Sequence, residues 1–174
     1  MSRDGPAPPA SAPAPAPLLV ILCGNPLAGD DAFGSLVARG LEARAPAGVE
    51  WVAAALCPAF RAIDLLAGRR AIRVVDAVRW PGVEAGRLID LGWFEGVRPH
   101  LESETVVSTH RLSVALELDL ADSLGLLPHD VRLLGVTIGP AGKTGTRPSP
   151  AVEQAARWVL RKIEAEAARA LSSI

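Results

Sequence analysis

The sequence has only two cysteines, Cys23 and Cys57, too few and too plainly spaced for a disulfide framework or a structural zinc site. It has no surplus of charge either: 18 basic residues stand against 19 acidic ones. No basic stripe with interleaved aromatics appears, so there is no electrostatic reason to expect a nucleic-acid partner. A continuous apolar leader is also missing. The opening stretch, Met1 to Pro17, is mostly Pro, Ala and Ser and carries Asp4, which reads as a disordered, partly polyproline-II tail and not as a secretory signal. Nothing supports membrane attachment, no internal repeat is visible, and the cytoplasm is the expected compartment.

What is present is a balance of apolar and charged residues typical of a globular chain, in 174 residues that suit one domain with a sizeable core. That domain is expected to span 18–174. Leu18 to Cys23 is a continuous apolar run, short enough for a strand buried on both faces, and it stops at Gly24 and Asn25. Phe33, Leu36, Val37, Gly40 and Leu41 then recur at helical spacing until Pro46 and Gly48 end the helix. Val49–Ala54 reads as a strand, Ala59–Ala67 as a short helix closed by Gly68, and Ala71–Asp76 as a third strand whose last residue is Asp76.

After a Trp80-Pro81-Gly82 turn, the alternation in Arg87–Leu91 predicts a half-exposed edge strand. Gly92–Thr109 reads as irregular. Leucines four apart make Leu112–Leu124 a helix, Val131–Ile138 a buried strand, and Ser149 with Pro150 the start of a helical stripe to the C-terminus. The order βαβαβ, followed by an edge strand and a further helix–strand–helix, predicts a three-layer α/β/α domain. Its mostly parallel central sheet of about five strands should carry helices on both faces.

In such sheets ligands bind at the carboxyl ends of the strands. Asp30 and Asp31 follow the first strand across the Gly24–Gly29 turn, Asp76 ends the third, and His110 precedes a crossover helix whose N-terminus falls at the same edge. Two carboxylates and an imidazole form an oxygen and nitrogen set suited to a divalent transition metal, and either acid is also a candidate proton acceptor. Singly, each residue has a plainer explanation: Asp31 in a helix's first turn, Asp76 bonding a turn, His110 as a polar residue at a helix start. Their joint placement favours a site. Whether Asp30 caps the loop backbone while Asp31 faces that site is left open by the sequence.

The run Gly24-Asn25-Pro26-Leu27-Ala28-Gly29-Asp30-Asp31-Ala32-Phe33-Gly34 resembles the signature of the nickel-iron hydrogenase maturation endopeptidases. The resemblance continues through Val74-Val75-Asp76-Ala77, Ser108-Thr109-His110, Leu134-Gly135-Val136 and Ser149-Pro150-Ala151-Val152. It implies an enzyme that cuts a C-terminal extension from a hydrogenase large-subunit precursor after nickel insertion, with Asp31, Asp76 and His110 at the nickel-contacting positions. Nickel would then arrive with the substrate, and no cofactor would be tightly held by the enzyme itself. Ala32, Leu22 and the Ala53–Cys57 stretch depart from glycines common in the family, which bears on which hydrogenase is the substrate.

Other signals weigh less. Gly139-Pro140-Ala141-Gly142-Lys143-Thr144 resembles part of a phosphate-binding loop, but Thr137 replaces its first glycine and Pro148 and Pro150 block the helix that should follow at once. Trp93 and Phe94 read as core packing, His100, Glu102 and Glu104 as a solvated loop, and Cys23 and Cys57 as buried thiols without a histidine partner. A magnesium-dependent phosphohydrolase using the paired aspartates fits His110 poorly. A nickel carrier or assembly factor that binds the same subunit without cutting it would use the same ligands.

Overall fold

Strand β1, Leu18–Leu22, consists of five consecutive apolar residues, all of them buried, as a strand covered on both faces requires. The computed structural model describes residues 15–54, 65–99, 111–139 and 147–172. Chain engagement starts before β1: the Ala16 carbonyl accepts from Arg69 Nη1 at 2.9 Å, and that of Pro17 from the backbone N–H groups of Arg70 and Ala71. The rest of the proposed tail, 1–14, lies outside the described residues.

After a 3-10 turn at Gly29–Ala32, helix α1 runs Phe33–Arg44 and buries Phe33, Val37 and Leu41. It ends where Ala45 turns left-handed at φ 40° and its N–H caps the Leu41 carbonyl at 2.7 Å, just ahead of Pro46. Strand β2 spans Val49–Ala53, β3 Ala71–Val78, β4 Leu88–Gly92, helix α2 Arg111–Ser123, β5 Asp130–Thr137 and helix α3 Pro150–Ser172. The strands form one sheet in the order β2-β1-β3-β5-β4, with β4 antiparallel at the edge and every other pairing parallel. The predicted architecture, including the edge strand, is present.

Alternation along the strands sorts the core into two layers. Leu18, Val20, Leu22, Val75, Ala77, Leu134 and Val136 pack beneath α1 and α3. Leu19, Ile21, Cys23, Ile72, Val74, Val78 and Leu133 face α2 with Val114, Leu118 and Ala121. α3 contributes Val152, Ala155, Ala156, Val159, Leu160 and Ile163, one stripe at the helical period and each large side chain worth about 1.5–3 kcal/mol of burial. Gly40 on α1 lets the two helices meet, because a Cβ there would collide with the Leu160 side chain.

Two local expectations need correction. Strand β3 does not end at Asp76: it continues to Val78, because β5 keeps pairing with it through Asp76↔Gly135, Ala77↔Val136 and Val78↔Thr137. The stretch after β4 does not begin irregularly, since Trp93–Val97 forms a π-helical turn. Trp93 and Val97, one turn apart, are both buried, and that apolar spacing anchors the turn to the α2 layer. Most of the predicted Ala59–Ala67 helix lies outside the described residues.

Candidate active site at the β1–β3 crevice

β1 lies between β2 and β3, so the chain leaves it towards β2 on one side while β3 lies on the other. In open α/β sheets the usual ligand position is the carboxyl edge at the point where neighbouring strands send the chain in opposite directions, so the crevice expected between β1 and β3 is the candidate position. Both aspartates of the pair following β1, and Asp76 in β3, belong to this region.

The Gly24–Gly34 segment is shaped by close backbone approaches. Gly24 has φ +120°, and a Cβ on it would collide with the Asp31 carbonyl oxygen; a Cβ on Gly34 would collide with the Cys23 carbonyl oxygen. Between these glycines the Asn25 side chain accepts from the Leu27 N–H at 3.0 Å, the Ala28 N–H donates to the Asn25 carbonyl at 3.1 Å and the Asp31 N–H to the Ala28 carbonyl at 3.0 Å. The loop then closes on itself: Asp31 Oδ2 accepts from the Asn25 N–H at 3.0 Å.

The question left open about Asp30 has a geometric answer. Its Oδ1 accepts from the backbone N–H of Ser149 at 2.6 Å, tying the loop to the start of α3, so Asp30 is a structural clasp. Asp31 is half-buried, and among the described residues only its Oδ2 is engaged. The hydrogen bond to Oδ2 sets the orientation of the carboxylate and leaves acceptor capacity on Oδ1. The turn carrying Asp31 packs against β3.

Asp76 is 2% exposed and lies on the α2 face of β3, lining a cavity of about 10 Å³ with Cys23, Val74, Trp93, Val97, Val114 and Leu133. Gly135 opposite it lets β5 come close, since a Cβ there would stand 2.7 Å from the Asp76 carbonyl oxygen. Val114 is the fourth residue of α2, so the N-terminal part of that helix borders Asp76. His110 lies outside the described residues, one position before α2 begins. Asp31 and Asp76 thus stand on neighbouring elements at one edge, and among the described residues no three His, Cys, Asp or Glu side chains group to hold an ion.

Two residues of this region escaped the sequence reading. Cys23, set aside as an inert thiol, lines the same cavity as Asp76; the signal was its register, one residue past the Leu22↔Val75 pair and on the α2 face of the sheet. Trp93 is core as expected, at 3% exposure, yet its Nε1 has no hydrogen-bond partner among the described residues. A buried donor left unpaired costs about 1–3 kcal/mol.

The five-stranded, mostly parallel sheet with helices on both faces shares the fold of solved hydrogenase maturation endopeptidases. The hydrogenase maturating endopeptidase HybD from E. coli superposes with a TM-score of 0.70 at 22% identity, over 88% of this chain and 93% of that one. The NiFe hydrogenase maturation protease HybD from Thermococcus kodakarensis gives 0.68 at 20% identity, over 86% and 98%. The hydrogenase 2 maturation peptidase from a Thaumarchaeota archaeon gives 0.55 at 27% identity, over 84% and 94%. No protein-family model and no curated protein matches the sequence significantly.

Proposed function

We propose that this chain is an endopeptidase that removes the C-terminal extension of a NiFe-hydrogenase large-subunit precursor once nickel has been inserted. One observation supports the reading: the Gly24–Gly34 turn holds the Asp31 carboxylate through the Asn25 N–H and packs against β3, the strand that carries Asp76. The shared fold with maturation proteases supports it. Nickel enters as part of the substrate, and Asp31, Asp76 and His110 are its contacts. The reading keeps the cytoplasmic setting expected from the sequence; among the described residues no helix is long and apolar enough to cross a membrane.

Peptide hydrolysis needs a water, a group to take its proton, and a means to polarise the scissile carbonyl. Asp31 presents an unengaged carboxylate oxygen to the precursor and is positioned by the Asn25 N–H before substrate arrives. Asp76 is buried, so its contact with an ion carried by a partner requires that a covering residue move when the precursor docks.

The test is to incubate the full chain with the precursor, with and without nickel, and measure the precursor's mass. A C-terminal peptide lost only with nickel, and retained with Asp31→Asn, Asp76→Asn or His110→Ala, is the expected result. Normal processing by all three variants, or an unchanged precursor that merely binds the chain, overturns the reading; the second outcome identifies a nickel carrier or assembly factor.

A further inference from the structure

We propose that Arg79 is a substrate-binding residue, its guanidinium taking a carboxylate of the precursor that docks at the carboxyl end of the sheet. The inference deepens the protease reading and rests on it. Arg79 directly follows β3, the strand that carries Asp76, and is half-buried. Its Nε is a buried donor without an acceptor, and among the described residues its guanidinium has neither a hydrogen bond nor an ion pair. Buried donors of this kind in native structures call for an explanation. The contrast within β3 is sharp: Arg73, near the amino end of the same strand, is matched to Asp130 at 2.7 Å and to Glu166 at 2.6 Å.

Alternation places Arg79 on the face of Val75 and Ala77, which α1 and α3 cover. β3 lies between β1 and β5, and the start of α3 is tied to both sides of it. Asp30, from the loop after β1, holds the Ser149 N–H, while Ala151 stands against Gly86, whose own N–H donates to Thr137 of β5. A helix N-terminus disfavours a nearby cation, so an unpaired guanidinium at this end of the sheet is a cost to the fold that an anion would remove. Arg147, exposed just before Ser149 and also without an ion pair among the described residues, adds positive charge to the same corner. The fork of a guanidinium matches a carboxylate by two parallel hydrogen bonds, which makes that group the fitting ligand. Since the turn carrying Asp31 packs against β3, Arg79 and the candidate site share one region of the molecule.

The test compares the natural full chain with Arg79→Gln and Arg79→Lys, measuring both cleavage of nickel-loaded precursor and its binding by calorimetry. Arg79→Gln is expected to raise KM and Kd about tenfold, with kcat within about twofold of the natural value and no fall in melting temperature. Arg79→Lys should recover only part of the loss, because an ammonium keeps the charge without the fork. Precursor variants then locate the carboxylate: acidic residues near the cleavage site are changed singly to Asn or Gln, and a short glycine extension displaces the terminal carboxylate. One of these changes should weaken binding to the natural chain and leave binding to Arg79→Gln unaltered. Equal KM and Kd for the natural chain and Arg79→Gln overturn the proposal, as do precursor changes that all affect the two proteins alike. If the natural chain binds the precursor without cutting it, the protease reading falls and the Kd comparison still decides the role of Arg79. If it neither binds nor cuts, both fall.

Discussion

The Ser149 backbone N–H donates to Asp30 Oδ1 at 2.6 Å, joining two residues 119 positions apart. The contact pins the loop after β1 to the first turn of α3, and it divides the work of two adjacent acids. Asp30 bonds the start of α3, while Asp31 takes the Asn25 N–H of its own loop on one oxygen. Had the loop depended on its own short hydrogen bonds alone, the orientation of Asp31 would have been set by an exposed turn.

Asp30→Ala should therefore destabilise the chain by about 1–3 kcal/mol, the range for a charged acceptor removed from a part-buried N–H. Asp30→Asn keeps an acceptor oxygen and should lose less. Urea unfolding of the two variants checks the order, and Asp30→Ala stability equal to that of the natural chain would refute the clasp.

Gly24→Ala should cost about 1–3 kcal/mol, because the position combines φ +120° with a Cβ placed against the Asp31 carbonyl oxygen. Gly92→Ala is the control, since a Cβ built there would meet nothing within 4 Å beyond its chain neighbours and the position has a negative φ. The control should stay within about 0.5 kcal/mol of the natural chain. Thermal or urea unfolding of both distinguishes a steric requirement at Gly24 from a general intolerance of alanine for glycine.

How much of this was legible in the sequence depends on whether the controlling interaction is local. β1 and α1 carry their own stop signals in Gly24 and in Pro46 with Gly48, and the Leu88–Gly92 edge strand carries its alternation. Asp76 looked like a strand end because a carboxylate seldom sits inside a buried strand; pairing with Gly135–Thr137, far along the chain, keeps β3 going to Val78. The Trp93–Val97 turn was missed because its two buried anchors lack a regular helix around them. The candidate site was half legible: the turn that fixes Asp31 is written in consecutive residues, whereas the placement of Cys23 and Trp93 around Asp76 comes from strand register and a turn that no local pattern announces.

Acid stability should depend on Asp90. Burial alone would raise its pKa, but hydrogen bonds from Lys162 Nζ at 2.9 Å and Arg132 Nε at 2.7 Å outweigh it and hold the carboxyl below its ordinary value. A depressed carboxyl pKa contributes stability that is present above the unfolded-state value, about 3.9, and is lost as pH falls through the lower folded-state value. Asp90→Asn should lower the unfolding free energy near neutral pH and make it fall less steeply between about pH 5 and pH 2. Parallel pH profiles for the variant and the natural chain would dismiss this account.

Arg73 offers a way to change stability without touching the crevice. It lies in the amino-terminal half of β3, 3% exposed, with Nη2 on Asp130 Oδ2 at 2.7 Å and Nε on Glu166 Oε2 at 2.6 Å. Burial works against its charge, yet these two acids raise its pKa above the ordinary guanidinium value. Breaking a fully buried pair costs about 3–5 kcal/mol, but Arg73→Leu should cost nearer 2–4 kcal/mol. The reduction follows because the Asp130 side chain is half in solvent and Glu166 keeps Lys162 at 3.2 Å. Since Asp31 and Asp76 lie towards the opposite edge of the sheet, processing of nickel-loaded precursor well below the melting temperature should stay within about twofold of the natural rate. A large loss of activity in a variant that is still fully folded at the assay temperature would mean that the amino edge is coupled to the crevice, and that the division between scaffold and site drawn from Asp30 and Asp31 is incomplete.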